Sequence, residues 1–304
     1  MITDKTMLYL YVETPLHAGV GSGLSSIDLP IQRERTTQYP MIQGSGIKGK
    51  LRSTAEFEKF PEGDINVLFG PPVTGGGDDY AGALIAGDAR ILLFPVRSLS
   101  GVFAYTTSYD VLSRFRRDLE RGKAGQALKW EVPARVPDKA LVTTTSDIQT
   151  NNTVVLEEFS FEAQADSQID AIARWITEAA LPELETNDYW ANKVRNSLVV
   201  LPDNDFRDFA LYATEVITRV RIDRVKKTVE KGALWTEEHL PSDTLLYVPI
   251  YATDARKNGK DGSKLTGTQI LERARKLGTE TSNYLQLGGD ETVGRGMVRI
   301  RWGS

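Results

Sequence analysis

Apolar and polar positions alternate along MLYLYVET (7–14), and that two-residue period predicts a strand opening the core, ended at Pro15. A glycine-rich loop with GVGSG (19–23) follows, then YPMIQ (39–43) as a short strand. The period changes over SGIKGKLRSTAEFEKF (45–60): Ile47, Leu51 and Ala55 share one helical face and Lys48, Arg52 and Lys59 a neighbouring one. Ser45 is the expected N-cap, and Pro61 and Gly63 are the expected stop. Downstream, strands are expected at 83–96, 154–163, 197–201, 214–223 and 244–252, and helices at 166–181, 203–213 and 267–277. Another helix carries Arg114, Arg116, Arg117 and Arg121. The turn-rich segment 71–82 reads as a mobile loop, 133–153 as an elaborated loop or small subdomain, and 257–264 as a polar loop. The segment 228–243 has little pattern, and 284–302 reads as a closing hairpin. Strands and helices interleave throughout, so the expected class is α+β or α/β rather than all-β. Their β-α-β-β order fits a ferredoxin-like, RRM-type core with inserted loops.

Composition narrows the chemistry. The chain has 304 residues, 40% of them hydrophobic, enough for one large core or two smaller ones. No apolar run approaches the roughly 20 residues that cross a bilayer, and Asp4 and Glu13 flank the first strand, so a cytoplasmic protein without membrane contact is expected. There is no cysteine, which excludes disulfides, thiolate nucleophiles and thiolate metal sites. The two histidines, His17 and His239, make a histidine-rich metal site a poor expectation. A metal held by carboxylate, phosphate and water would be magnesium or manganese.

The net charge is −4, yet the sign reverses locally: Arg33, Arg35, Lys48, Lys50 and Arg52 outnumber Asp28 and Glu34. GSGIKGKLR (44–52) offers glycine backbone, a helix start and cations, the features an anion needs. The same letters match a nucleotide-binding P-loop through Gly44, Gly49 and Lys50, but Leu51 stands where the magnesium-coordinating Ser or Thr belongs. The plain alternative is a helix with a solvated basic face. In LGGDETVGRGMVRIRW (287–302), glycines again leave bare backbone, and strand alternation sets Met297, Arg299 and Arg301 opposite Val298, Ile300 and Trp302. Two glycine-rich loops and a basic strand face would then form an extended groove for an anion.

LHAGVGSG, IDLPIQRE, YPMIQGSGIKGKLR, GALWTEEHLPSD and LGGDETVGRG occur in the order found in the RAMP proteins of CRISPR effectors. Together they resemble the repeated backbone subunit of the type III-B (Cmr) RNA-guided complex, over nearly the whole chain. The related type III-A subunit shares the N-terminal motifs; chain length and GALWTEEHLP favour III-B. Ser45, Gly46 and Ile47 depart mildly from the family's two small residues and leucine before the lysine. The resemblance implies a single RAMP domain with an RRM-like palm and a protruding thumb near 228–243. It implies as partners CRISPR RNA, complementary target RNA, further copies of the chain in a filament, and other Cmr subunits. Implied RNA contacts are Arg33, Arg35, Ser45, Lys48, Lys50, Arg52, Gly294 and Arg295, with Trp235 and Leu234 as an apolar wedge.

Asp28 lies where the family's cleavage aspartate lies, in IDLPIQRE. The resemblance implies that it binds or positions a divalent metal or takes a proton from the RNA 2′-hydroxyl. Without the resemblance, Asp28 reads as a turn cap before Pro30. His17 and Glu237 are the expected auxiliary groups, although adjacent glutamates such as Glu237 and Glu238 otherwise mark a solvated edge. A second function stays open: the same guide-binding scaffold without cutting.

Overall fold

The computed structural model describes residues 1–23, 26–72, 80–121, 128–182, 188–257 and 264–303. Most of the turn-rich segment 71–82 and of the polar loop 257–264 lies outside them. The first part of the chain forms β1 (Ile2–Val12), β2 (Met41–Ile42), α1 (Gly44–Phe57), α2 (Glu62–Phe69), β3 (Leu84–Ala86), β4 (Ala89–Arg97), β5 (Phe103–Ser108) and α3 (Tyr109–Glu120). The middle forms β6 (Lys139–Val142), β7 (Gln149–Thr150), β8 (Thr153–Leu156), β9 (Phe159–Ala165), α4 (Ser167–Ala179), α5 (Asp188–Ser197), β10 (Leu198–Leu201) and α6 (Asp203–Tyr212). The last part forms β11 (Glu215–Ile222), β12 (Val229–His239), β13 (Leu245–Thr253), α7 (Gly267–Ala274), β14 (Tyr284–Gln286) and β15 (Met297–Trp302). The class is mixed α+β.

One large mixed sheet runs in the order β14-β15-β1-β13-β4-β5-β10-β6-β9-β8-β7. Within it β15, β1, β13 and β4 are neighbours, all antiparallel. Helix α1 lies between β1 and β4 in the chain, and α7 between β13 and β15. The stretch 133–153 supplies β6 and β7, which pair into the same sheet. Strands β11 and β12 pair only with each other within the sheets, as a separate antiparallel hairpin. Among the described residues no helix is long and apolar enough to cross a membrane.

Strand β1 is buried on both faces, so its alternation does not mark a solvent side: Tyr9 and Tyr11 are as buried as Leu8 and Leu10. Phe115 of α3 packs on Tyr9 and Tyr247, with ring centroids at 6.4 and 4.8 Å. Tyr11 donates to the Asp243 carboxylate at 2.5 Å and lies 3.2 Å from the Tyr105 hydroxyl. Helix α1 buries Ile47, Leu51 and Ala55, the expected face. Its N-cap is Gln43 rather than Ser45, and the first amide is satisfied from outside, Gly44 donating to Asp88 Oδ1 at 2.8 Å. Ser45 already sits in the first turn, too late to cap it. Pro61 does not merely stop the helix; its fixed φ makes it the N-cap residue of α2.

Candidate functional site

Asp28 lies on the loop between β1 and β2, which runs beside the hairpin, Leu29 bridging to Glu237 in a parallel sense. The Leu29 amide donates to the Thr236 carbonyl at 3.0 Å and the Glu238 amide donates to Leu29 at 3.0 Å. This registers Asp28 against Thr236 of β12. Asp28 Oδ2 accepts from the Thr236 amide at 2.8 Å and its hydroxyl at 2.9 Å, and the Asp28 amide donates to the same hydroxyl oxygen at 3.0 Å. The Thr236 backbone bond, then its hydroxyl bond, hold the exposed carboxyl below the ordinary aspartate pKa. Asp28 itself is exposed, so a carboxylate oriented by Thr236 is open to an incoming ligand.

A groove of roughly 600 Å³ lies between α1 and the two glycine-rich loops, lined by His17, Gly19, Gly46, Lys50, Gly288 and Gly289 among others. The expected meeting of the 44–52 segment with the 287–302 segment is therefore present at Gly46, Gly49, Gly288 and Gly289. Close packing explains the glycines: a Cβ on Gly288, whose φ is +79°, would lie 2.2 Å from the His17 carbonyl oxygen. His17 Nδ1 sits 2.7 Å from the Glu238 carbonyl oxygen. A carbonyl only accepts, so Nδ1 carries a proton and donates to it. Lys48 is half-buried; burial, then Arg256 and Arg52, lower its pKa. Arg256, just beyond β13, was not among the expected contacts because about 200 positions of sequence separate it from Lys48.

Several expected RNA contacts are engaged within the fold. Arg33 pairs with buried Glu238 at 2.5 Å and donates to the carbonyls of Gln38 and Ala210 at 2.8 and 2.9 Å. Arg52 donates to the Gly70 carbonyl at 2.9 Å and to Glu56 at 3.0 Å. On β15 the alternation holds, with Val298 and Ile300 buried and the arginines half-buried on the other face, where they bond within the chain. Arg299 bonds Glu13 and Tyr284, and Arg301 bonds the carbonyls of Leu181 and Glu178. Arg35, Ser45 and Gly294 are exposed, and Arg295 is half-buried. On the hairpin Leu234 is 63% exposed, whereas Trp235 is half-buried and tied through Nε1 to Glu237 at 2.7 Å.

Glu237 and Glu238 do not form a solvated edge; both are buried. Strand alternation sends them to opposite sides, Glu238 with Thr236 and Glu237 with Trp235 and His239. Glu238 is satisfied by Arg33, by the Thr214 hydroxyl at 2.8 Å and by the Ile31 amide at 3.0 Å. Burial raises the Glu237 carboxyl, but bonds from Trp235 and Arg219 outweigh it and hold its pKa low. Arg219 reaches Glu237 at 2.8 Å and Asp290 at 3.3 Å. Glu237, His239 and Asp290 offer one donor atom each within 4.8 Å of one another, a carboxylate and imidazole group that could hold a metal ion. Neither Asp290 nor Arg219 carried any signal in the sequence, since the cluster joins β11, β12 and the closing loop only after folding.

The model of the RAMP superfamily matches residues 9–299. The chain is 41% identical to the CRISPR system Cmr endoribonuclease Cmr4 of Pyrococcus furiosus, over 96% of this chain and 93% of that protein. It is 27% identical to the CRISPR system CMR subunit Cmr4 of Saccharolobus solfataricus, over 96% and 95%. A crystal structure of oligomeric Cmr4 from Pyrococcus furiosus superposes with a TM-score of 0.73 at 35% identity, covering 99% of this chain and 98% of that one. Matched from the first strand to the last, the chain belongs to the RAMP superfamily.

Proposed function

We propose that this chain is the backbone subunit of a cytoplasmic type III-B effector, polymerising along a CRISPR RNA and cutting complementary target RNA as a metal-dependent endoribonuclease. Its likeness to a Cmr endoribonuclease and to an oligomeric Cmr4 supports the activity and the self-assembly. The antiparallel order β15-β1-β13-β4, with α1 and α7 as crossovers, supports an RRM-type palm. The β11–β12 hairpin with exposed Leu234 supports a thumb that wedges into the guide–target duplex. Guide phosphates would lie in the glycine-lined groove, against Lys50 and with Lys48 at its side.

The observation that carries the nuclease reading is the Asp28 carboxylate, exposed yet held in one orientation by Thr236. RNA brings its own nucleophile, so the protein's task is to align one linkage and answer the charge that develops. Asp28 would take the 2′-hydroxyl proton or contact a cation. An exposed carboxylate held in its ionised form fits a magnesium or manganese ion shared with RNA phosphate and water, which when bound supplies charge neutralisation at the phosphate. His17, its ring fixed through Nδ1, orients the linkage from the groove side. Glu237 acts through Trp235, holding the ring at the hairpin's root.

The test is cleavage of labelled complementary RNA by the reconstituted guide complex, wild type against Asp28→Ala. Regularly spaced products that vanish in the mutant, with guide binding kept, support the nuclease. Equal cutting by both leaves a guide-binding scaffold and refutes the catalytic role of Asp28.

A further inference from the structure

The two histidine rings lie 5.5 Å apart, but their surroundings differ. His17 has the Glu238 carbonyl. His239 is 0% exposed, and neither Nδ1 nor Nε2 meets a hydrogen-bonding partner among the described residues. A neutral imidazole has one donor and one acceptor to satisfy, and buried polar groups are almost always paired. Nε2 is also the atom nearest two carboxylates, 3.8 Å from Glu237 Oε2 and 3.7 Å from Asp290 Oδ2. We infer that Glu237, His239 and Asp290 form a binding site for a first-row divalent cation, manganese or zinc, which enters by displacing the guanidinium of Arg219.

The donor chemistry selects the ion. One imidazole nitrogen with two carboxylate oxygens suits manganese or zinc, whereas magnesium takes oxygen ligands in near-ideal octahedra. Ligand bonds of about 2.0–2.2 Å put neighbouring donor atoms roughly 3–3.5 Å apart. The two histidine–carboxylate separations, 3.8 and 3.7 Å, lie a few tenths of an ångström beyond that range, and all three donor atoms lie within 4.8 Å of one another. The other oxygen of Glu237 is already oriented by Trp235 Nε1 at 2.7 Å, the kind of outer bond that fixes a ligand's direction.

Arg219 marks the cation's place. Its Nε bonds Glu237 Oε2 at 2.8 Å, while its reach to Asp290 is a longer 3.3 Å. It makes no hydrogen bond to His239, neither ring nitrogen of which has a partner among the described residues. With a side chain 24% exposed, Arg219 has an exit toward solvent. An ion in its place would satisfy His239 and tie the closing loop, through Asp290, to the root of the hairpin. The site lies on the face of β12 opposite Thr236 and Asp28, so it is distinct from the proposed cleavage centre.

The test is titration of chelator-treated protein with manganese chloride, read by continuous-wave and pulsed EPR, in wild type, Asp28→Asn, Arg219→Gln and His239→Gln. One bound ion per chain with ¹⁴N coupling is expected in wild type and in Asp28→Asn. Removing the competing charge in Arg219→Gln should tighten binding, and His239→Gln should weaken it more than about tenfold. Zinc chloride should displace the manganese signal. No bound ion, a bound ion without ¹⁴N coupling, coupling that survives in His239→Gln, or loss of the ion in Asp28→Asn would each overturn the proposal. The wild-type spectrum decides even where a variant folds poorly. Normal cleavage by Asp28→Ala would sink the nuclease reading and leave this site standing.

Discussion

Thr236 clasps Asp28 from a position 208 residues away, using both its amide and its hydroxyl, with the hydroxyl also accepting from the Asp28 backbone. The loop and the hairpin thus meet in one registered contact, and the carboxylate cannot move independently of β12. A flexible aspartate would have to be aligned in every turnover; this one is aligned beforehand.

Thr236→Val removes the hydroxyl but keeps the amide. Target cleavage by the assembled complex should slow by about tenfold to a hundredfold, in line with the cost of a small misplacement. Thr236→Ser should restore most of the rate, because it keeps both hydroxyl bonds. Equal single-turnover rates in Val and Ser variants would show that the hydroxyl does not position Asp28.

The sequence made the mixed α+β core legible and left the site half legible, for different physical reasons. Strands such as β13 and helices such as α7 carry local periodicity that survives any partner. Strand β12 carries little, because its pairing with β11 outside the large sheet, rather than burial of one face, defines it. Asp28 was visible through its motif, but the residue that orients it was not, since no local pattern reports a contact spanning 208 positions. Basic letters were misleading in a related way. Arg33 and Arg301 look like guide contacts until their internal acceptors, Glu238 and the Leu181 and Glu178 carbonyls, are in view.

Arg33 therefore belongs to stability. Its pair with Glu238 is nearly closed to solvent, the side chains being 12% and 3% exposed. Arg33→Ala leaves that carboxylate buried without its cation, which costs about 3–5 kcal/mol in comparable cases. A large fall in unfolding midpoint is expected in denaturant titration; an unchanged midpoint with weakened RNA binding would return Arg33 to the guide surface.

Asp243 makes a pH-dependent contribution of opposite sign to a typical salt-bridged acid. Burial raises its pKa against the lowering effect of the Tyr11 hydrogen bond. A raised acid binds its proton more tightly in the folded state, so stability is lost as pH climbs from the ordinary aspartate value through the raised one. Asp243→Asn keeps an acceptor for Tyr11 and suits the φ of +68° at this position. The variant should melt higher than wild type near neutral pH, with the gap closing below pH 4. A gap that is constant across that range would mean the carboxyl's charge is not what the fold opposes.

Guide binding should separate the cations of α1 by what each one touches. Lys50 lines the groove, and Lys48 sits half-buried beside two like charges with no carboxylate among the causes of its shift. Such a side chain gains most from an arriving phosphate, which relieves repulsion and desolvation together. Arg52 has its guanidinium committed to the Gly70 carbonyl and Glu56. In assembled complexes, Lys48→Gln and Lys50→Gln should each reduce the slope of log affinity against log salt by about 0.7, the value for one single-strand phosphate. Arg52→Gln should leave that slope intact and act on the α1–α2 packing. If Arg52→Gln alone lowers the slope while the lysine variants do not, the guide lies along the α2 side of α1 and the groove between the glycine loops has another occupant.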